Sequence, residues 1–336
     1  MVNRFEGART GRHWSLVAGV VALAAVSFAG SPAAQTAGAY PDRPIKLVVP
    51  YPPGGSTDPV ARLLAADIGS RIGQPMVVDN KAGAAGSIGT EFVVRAPADG
   101  YTLLYAAAPF AVVESLYGKL SYDPGRDFQP VTLALVAPVF LIVNADLPVK
   151  TVADFIKYAK SKPQGINIAS PGAGSGPHLT GELFMKEAGI QGLTVHFRGD
   201  ATAYTELLAG RVDATITAIT TALPHIKAGK LRVIAVANET RSPLEPQVPT
   251  FAEAGFPNIV GYGWFGFMVP RGTPAAVVDK LSAETNAVLA EPDFKQRMLQ
   301  LGLQPRGGTP AEFAAFIVRE TRKWGDVIRA SGVKGE

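Results

Sequence analysis

Cysteine is absent from the 336-residue sequence, and this one absence excludes several kinds of chemistry. Disulfide bonds, cysteine nucleophiles and thiolate metal sites all need the missing side chain. A lipid anchor on an N-terminal cysteine is excluded for the same reason. A chain of this length can nevertheless bury enough apolar surface to be stable without covalent cross-links.

Histidine and clustered charge are also scarce. The chain has four histidines, and its 32 basic residues nearly balance 28 acidic ones, for a formal net charge of +4. The basic residues are scattered rather than gathered in a stripe, so we expect no nucleic-acid partner. There is no HExxH motif, no paired histidine spacing and no acidic cluster, so we expect no metal site and no cofactor.

A long apolar run occurs near the N-terminus, and it has the features of an export signal. Several arginines precede the apolar segment Ser15–Gly30, and small residues follow with cleavage-type patterns near Ala33 and Ala39. These are the three parts of a secretory signal peptide. The run is shorter than the ~20 residues that a membrane-spanning helix needs. We therefore expect residues 1–39 to be removed and the mature protein to be periplasmic.

The remaining sequence alternates short apolar runs with helical stretches. Residues 44–51, 75–81 and 101–107 have the pattern of buried strands, and amphipathic helices follow the first two. Further short strands continue to residue 237, and only helices are expected after residue 275. Alternation of this kind is typical of parallel βαβ units and predicts an α/β fold.

Two segments indicate that the chain crosses between two lobes. They are the proline-bounded Pro138–Pro148 and the aromatic, glycine-rich Gly261–Pro274. We expect a discontinuous first lobe of residues 40–142 and 264–336, on which the C-terminal helices pack, and a second lobe of residues 143–263. Ligands of α/β sheets bind at the carboxyl ends of strands, so the cleft between the lobes is the expected binding site.

Three strand ends carry loops of small residues, each followed by a predicted helix. These loops are Pro52–Asp58, Gly83–Ser87 and Ser170–His178. Glycine lets a ligand approach the backbone closely, and the first turn of a helix offers N–H groups that bind anions. Simple turn chemistry remains the alternative for any one of these loops taken alone.

The phosphate-binding motifs are not complete in these loops. GxxxxGK[ST] is absent, and Pro177 stands where GxGxxG needs its third glycine. A polyphosphate normally also recruits lysine and Mg²⁺. Backbone amides and hydroxyls without a lysine favour a small carboxylate as the anion.

No constellation of catalytic residues is visible. Ser175 is not in a GxSxG elbow, so an exported hydrolase using Ser175 and His178 is an alternative without a motif. His178 could face the cleft, His196 lies in a predicted strand, and His225 is expected on a helix surface. Asp200 is expected to cap the helix that follows it. We expect a binding protein rather than an enzyme.

Several motifs in order resemble the Bug receptors, the solute-binding proteins of tripartite tricarboxylate transporters. They include "YPDRPIKLVVPYPPGGSTDPVARLL", "QPMVVDNKAGAAGSIGTEFVVRAPADGYTLLYA", "SPGAGSGPHLTGELF" and "LLAGRVDATI", and the resemblance runs from Tyr40 essentially to the C-terminus. It implies a two-lobe periplasmic-binding-protein fold of type II, the Venus-flytrap class, with two crossovers and a discontinuous first lobe. It also implies a receptor that captures a small carboxylate and delivers it to membrane subunits of such a transporter. A monomer is expected, and a ligand sensor feeding a membrane signalling protein is an alternative.

The same resemblance implies ligand-binding residues on loops of both lobes. Carried over onto this sequence, they are Gly54, Gly55, Ser56, Thr57, Gly86, Ser87, Gly172, Gly174, Ser175, His178 and Arg198. Arg198 stands where the family often has lysine, so the charge is retained there.

Two departures from the family pattern bear on the ligand. Ala108, Pro109 and Phe110 replace a stretch that usually carries hydroxyls and a histidine, and Thr217 lies where the family often has an acidic segment. A buried ammonium without a partner would cost several kcal/mol, so an amino acid is not the expected ligand. We expect a carboxylate with an apolar or aromatic body, held by the loops at Gly54–Thr57 and Gly86–Ser87.

Overall fold

The computed structural model describes residues 40–54, 57–172, 174–197 and 199–334, and the expected signal peptide lies outside these ranges. The first part of the chain contributes, in order, β1 (Ile45–Val49), α1 (Thr57–Ile72), β2 (Met76–Asn80), α2 (Ser87–Val94), β3 (Thr102–Ala107), α3 (Val113–Tyr117) and β4 (Phe128–Pro138). The middle part contributes β5 (Phe140–Asn144), α4 (Val152–Ser161), β6 (Ile166–Ser170), α5 (Gly176–Ala188), β7 (Gly192–His196), α6 (Asp200–Leu208), β8 (Ala214–Thr217), α7 (Leu223–Lys227) and β9 (Leu231–Val236). The last part contributes β10 (Tyr262–Pro270), α8 (Ala275–Ala290), α9 (Pro292–Gln300), β11 (Gln304–Pro305) and α10 (Pro310–Ser331).

These strands form two separate sheets, one in each lobe. The first is six-stranded in the order β11-β4-β10-β3-β1-β2, and the second is five-stranded in the order β7-β6-β8-β5-β9. Each has a parallel part, in which β1 pairs with β2 and β3, or β6 pairs with β7 and β8. The predicted two-lobe α/β fold is confirmed.

The predicted parallel units do not make up the whole of either sheet, because each sheet receives a strand directly from the other lobe. β10 is antiparallel to both β3 and β4, and β5 is antiparallel to both β8 and β9. β5 enters the second sheet from β4 of the first sheet through Val139 alone, and β10 enters the first sheet after β9 of the second. Neither strand is joined to its neighbours in the sheet by the helical crossover that makes successive strands parallel. β4 was not predicted as a strand, and β11 lies in the segment expected to be only helical.

The chain passes to the second sheet between β4 and β5 and returns between β9 and β10, so the first lobe is discontinuous. The predicted lobe limits after residues 142 and 263 stay predictions. Each of these limits lies within a strand, since β5 begins at Phe140 and β10 at Tyr262.

The C-terminal helix α10 belongs to the cores of both lobes. Phe313 and Phe316 pack around Trp264 in the first lobe, whereas Trp324 and Ile328 pack in the core of the second lobe. At 1.5 Å per residue its 22 residues span about 33 Å, which is long enough to reach both. The expectation that the C-terminal helices pack on the first lobe alone was therefore incomplete. No helix in the described part of the chain has the length and apolar character needed to cross a membrane.

Candidate ligand-binding cleft

The carboxyl ends of the parallel strands in the two lobes face each other. A Cβ added at Gly174, in the loop after β6, would lie 2.7 Å from Cδ1 of Leu116, in the segment after β3. A Cβ added at Gly176 would lie 3.4 Å from the carbonyl oxygen of Tyr262, where β10 begins. Because β10 is antiparallel to β3, its start lies at the carboxyl end of β3. The glycine loops of both lobes therefore border the same cleft.

The first loop is held by a network around Asp58, which is buried in the first turn of α1. Asp58 Oδ2 accepts hydrogen bonds from the Gly54 N–H (3.1 Å) and from Arg62 Nε (3.0 Å). Asn80, at the end of β2, donates from Nδ2 to Asp58 Oδ1 (2.9 Å) and to the Tyr51 carbonyl (3.2 Å). The hydrogen bonds from Arg62, Asn80 and Gly54 lower the pKa of Asp58 to about 2. Asp58 is thus the ionised anchor of this loop.

This network determines which predicted residues of the first loop have a backbone N–H that is already hydrogen-bonded within the protein. The Gly54 N–H is engaged by Asp58, and Gly54 adopts a left-handed φ of 77°. Thr57 begins α1, whereas Gly55 and Ser56 lie outside the described residues. Our sequence reasoning missed the role of Asp58, although an acidic residue in the first turn of a helix is a recognisable signal.

The second loop contains an unusual run of left-handed backbone. Ala84 and Ala85 have φ of 47° and 53°, between Gly83 at 128° and Gly86 at 95°. Each left-handed alanine costs roughly 1–2 kcal/mol, because Cβ approaches the neighbouring carbonyl oxygen. Strain of this kind persists only where the surrounding structure holds it, and it is concentrated at functional sites.

The strained loop delivers the start of α2 to the edge of the cleft. The N-cap residue is Gly86, so no side chain caps the first-turn N–H groups, and the Thr90 hydroxyl donates to the Gly86 carbonyl (2.8 Å). Burial raises the pKa of Tyr122, while its hydrogen bonds with Ser87 and Thr90 act in the opposite direction. Ser87 is half-buried beside this tyrosine, and its own N–H donates to the Ala84 carbonyl, while the Gly86 N–H donates to the Gly83 carbonyl (3.0 Å).

Close packing fixes the position of α2 against the end of β1. A Cβ added at Gly89 would lie 2.7 Å from the Lys81 carbonyl oxygen and 2.9 Å from Cα of Pro50. Real side chains essentially never approach backbone atoms so closely. Glycine is consequently required at position 89 for the two loops of this lobe to lie side by side.

The third segment of the first lobe, Ala108–Ala111, forms a 3₁₀ turn directly after β3. Phe110 is 7% exposed and packs edge-on against Phe128, with ring centroids 5.5 Å apart. Ala108 and Pro109 are half-buried. The Phe110 ring thus lies in the core of the lobe, beneath the turn that carries Ala108 and Pro109.

In the second lobe, Ser175 and His178 hold the loop after β6 instead of forming a catalytic pair. Ser175 Oγ caps α5 by accepting from the His178 backbone N–H (3.3 Å), and it donates to the Gly172 carbonyl (2.7 Å). His178 is 4% exposed, and its Nδ1 accepts from the Gly174 N–H (2.9 Å). Its Nε2 lies 3.6 Å from Glu182 Oε1, and the hydrogen bond to His178 lowers the pKa of Glu182. Both ring nitrogens face protein groups.

The remaining predicted residue of the second lobe, Thr217, ends β8 and is 1% exposed. Its hydroxyl is hydrogen-bonded to the carboxyl of Asp200. Gly199, not Asp200 as expected, is the N-cap of α6, because the Asp200 side chain is turned toward Thr217. Burial raises the pKa of Asp200, and the bond to Thr217 opposes that shift. Arg198 lies outside the described residues.

Two facing lobes, each with a mixed sheet whose loops meet in a cleft, define a periplasmic-binding-protein fold. The family described as the tripartite tricarboxylate transporter family receptor matches residues 60–333. The chain belongs to this family, as the resemblance of its motifs predicts.

Relatives of known sequence match nearly the whole chain. A UPF0065 protein in the tcbD-tcbE intergenic region of Pseudomonas sp. strain P51 is 39% identical over 296 residues, covering 88% of this chain and 88% of that protein. BugT of Bordetella pertussis is 37% identical over 311 residues, covering 92% of this chain and 95% of that protein.

Solved structures of similar proteins contain carboxylates. Rpa4515 of R. palustris with adipate has a TM-score of 0.73 and 35% identity, covering 88% of this chain and 99% of that one. MatC of Rhodopseudomonas palustris with bound malate has a TM-score of 0.69 and 33% identity, covering 86% of this chain and 100% of that one. The fold of this chain is therefore one that holds carboxylates in related proteins.

Proposed function

We propose that this protein captures a small carboxylate between its lobes and delivers it to the membrane subunits of a tripartite tricarboxylate-type transporter. The observation that carries the proposal is the start of α2, where a strained loop leaves the first-turn N–H groups without a side-chain cap at the edge of the cleft. Such N–H groups bind anions without a charged side chain. The family and the relatives that hold adipate and malate support this class of ligand.

The charges around the first loop favour a carboxylate over a polyphosphate. Arg62 is the basic side chain bonded into this loop, and it already contacts Asp58 and Asn80. No lysine follows the glycines of the loop. A polyphosphate would therefore lack the cation that usually neutralises it, whereas one carboxylate needs only the N–H groups and a hydroxyl.

The proposed contacts come from both lobes. The Ser87 hydroxyl and the following N–H groups of α2 would receive one carboxylate beside Gly86, because the N–H groups of Gly86 and Ser87 donate to loop carbonyls. The Gly172–Ser175 loop and Thr217 would lie on the opposite side. Gly55, Ser56 and Arg198 keep their proposed ligand roles on sequence grounds alone.

The body of the ligand is proposed to be apolar or aromatic. Ala108 and Pro109 are half-buried where β3 ends, and neither side chain offers a hydrogen-bond donor. Because the Phe110 ring lies in the core, apolar contact with a ligand would come from these two residues.

Binding would favour a closed arrangement of the lobes, because a ligand that touches both lobes stabilises the state in which they are close. We propose that the closed form, as a periplasmic monomer, is what the membrane subunits recognise. Export fits the signal peptide expected at residues 1–39.

The Ser87→Asp substitution tests the anion site. An acidic residue is tolerated in the first turn of a helix, but it would place a negative charge where the carboxylate should bind. Two like charges about 4 Å apart repel by about 4 kcal/mol near a protein surface, so affinity should fall on the order of 100-fold or more. The matched control is Ser70→Asp, which adds the same charge at an exposed position in α1.

The ligand itself is to be identified by mass spectrometry of small molecules that co-purify with the protein. Titration calorimetry with the acid so found then compares Ser87→Asp, Ser70→Asp and the unmodified chain. Equal affinities in all three proteins would refute the anion site at α2. Recovery of a ligand without any carboxylate would refute the proposed function.

A further inference from the structure

Asp200 is a carboxyl group at the cleft edge of the second lobe. It opens α6 immediately after β7, and the Gly199 N–H donates to the Pro171 carbonyl (3.2 Å) in the loop after β6. Its partner Thr217 ends β8, which lies on the other side of β6. Three strand ends therefore converge around Asp200, at the edge that faces the first lobe.

The described surroundings of Asp200 leave its carboxyl with unused acceptor capacity. An ionised carboxylate only accepts hydrogen bonds and has about four lone-pair directions. The Thr217 hydroxyl donates to the Asp200 carboxyl and occupies one of these directions. The hydroxyl of the neighbouring Tyr204 donates to the Ala218 carbonyl. A carboxyl in this position can accept a further hydrogen bond from a donor in the cleft.

We propose that Asp200 selects a ligand whose far end, opposite its carboxylate, carries a hydrogen-bond donor such as a hydroxyl or an ammonium group. This proposal rests on the proposed function, because it places one end of the ligand at α2. A hydroxyl or ammonium would donate to Asp200, whereas a second carboxylate would meet a like charge. The start of α6 thus places an acidic side chain beside Thr217.

The consequence for specificity is the reverse of that expected from the sequence. Loss of the acidic segment at Thr217 argued against an ammonium group, but the Asp200 carboxyl reaches the same strand end. A dicarboxylate, the type of ligand held by the relatives with adipate and malate, becomes the disfavoured class here. The apolar body proposed above is unaffected, since it concerns the middle of the ligand.

Matched acids of equal length test this selection. For chains of roughly four to eight carbons, a range that includes malate and adipate, we would titrate the monoacid, the ω-hydroxy acid, the ω-amino acid and the diacid by calorimetry. The proteins are the unmodified chain, Asp200→Asn and Asp146→Asn. Asp146 is an exposed acid just beyond β5, at the opposite end of the same sheet, so its substitution removes the same charge. Thermal unfolding confirms that each variant is folded.

We expect the hydroxy or amino acid to bind the unmodified chain at least tenfold more tightly than the diacid of equal length. Asp200→Asn should remove this preference, and Asp146→Asn should keep it. Comparing the ω-hydroxy acid with the ω-amino acid shows whether a hydroxyl or an ammonium group is the preferred donor. A diacid that binds as tightly as the donor-bearing acids, or a preference that survives Asp200→Asn, would overturn the selection by Asp200 while leaving the carboxylate site intact. Absence of binding by all four classes would instead refute the proposed function and the selection with it.

Discussion

Replacing Gly89 with alanine should destabilise the protein, although alanine normally stabilises a helix. Gly89 lies in α2 with helical backbone, so the change of propensity alone favours alanine by roughly 0.5–1 kcal/mol. The new Cβ would lie 2.7 Å from the Lys81 carbonyl oxygen and 2.9 Å from Pro50 Cα. These are backbone atoms, which cannot rotate away, and overpacking of this kind typically costs 1–3 kcal/mol.

The net effect of Gly89→Ala is therefore a loss of about 1–2 kcal/mol, which lowers the melting temperature by roughly 2–4 °C per kcal/mol. Gly181→Ala is the matched control in α5, because its Cβ would meet only Ile168 Cγ2 at an ordinary 3.8 Å. The control should melt at or above the temperature of the unmodified protein. Carboxylate affinity should fall in Gly89→Ala alone, since the first turn of α2 must move away from Pro50. The close packing of α2 would be refuted if both variants were equally stable.

Two further changes probe the loop anchor and the C-terminal helix. Asp58 has a folded pKa of about 2, below its ordinary value of 3.8, so its stabilising contribution is present above pH 3.8 and is lost as the pH falls through about 2. Acid unfolding followed by circular dichroism should therefore depend less on pH in this interval for Asp58→Asn, and an unchanged pH profile would contradict the anchor role. Glu320 is buried and accepts from Trp324 Nε1 (2.7 Å) and from Lys323, which also donates to the Val260 carbonyl (3.1 Å). Glu320→Leu should therefore cost about 1–3 kcal/mol in urea unfolding, mainly by leaving the Trp324 N–H unpaired. Stability equal to that of the unmodified chain would show that this N–H finds another partner.

Local patterns in the sequence were sufficient for the fold class and for the position of the loops. The apolar runs at β1, β2 and β3 and the glycines after them are short-range signals, and the structure places strands and turns there. The direction of β5 and β10 could not be obtained in this way. It depends on where the chain changes sheets, which no local period encodes.

The same distinction between local and distant partners applies to the cleft. Asp58 is bonded to Asn80, which lies 22 positions away, and Asp200 is bonded to Thr217, 17 positions away. A capping rule considers only the next helical turn, so it assigned Asp200 to the helix amides rather than to Thr217. The engagement of the Gly54 N–H by Asp58 was hidden for a different reason, since an acidic side chain after a glycine turn can point either outward or back into its loop.

The shared helix α10 restricts how the two lobes can move. Phe316 is part of one core and Trp324 part of the other, with little more than two helical turns between them. A stiff rod fixed at both ends permits rotation about an axis close to itself, but it resists separation of the lobes by translation. The mouth of the cleft would consequently widen most on the side remote from α10, and a ligand would enter there, away from the 108–110 turn, which packs beside α10.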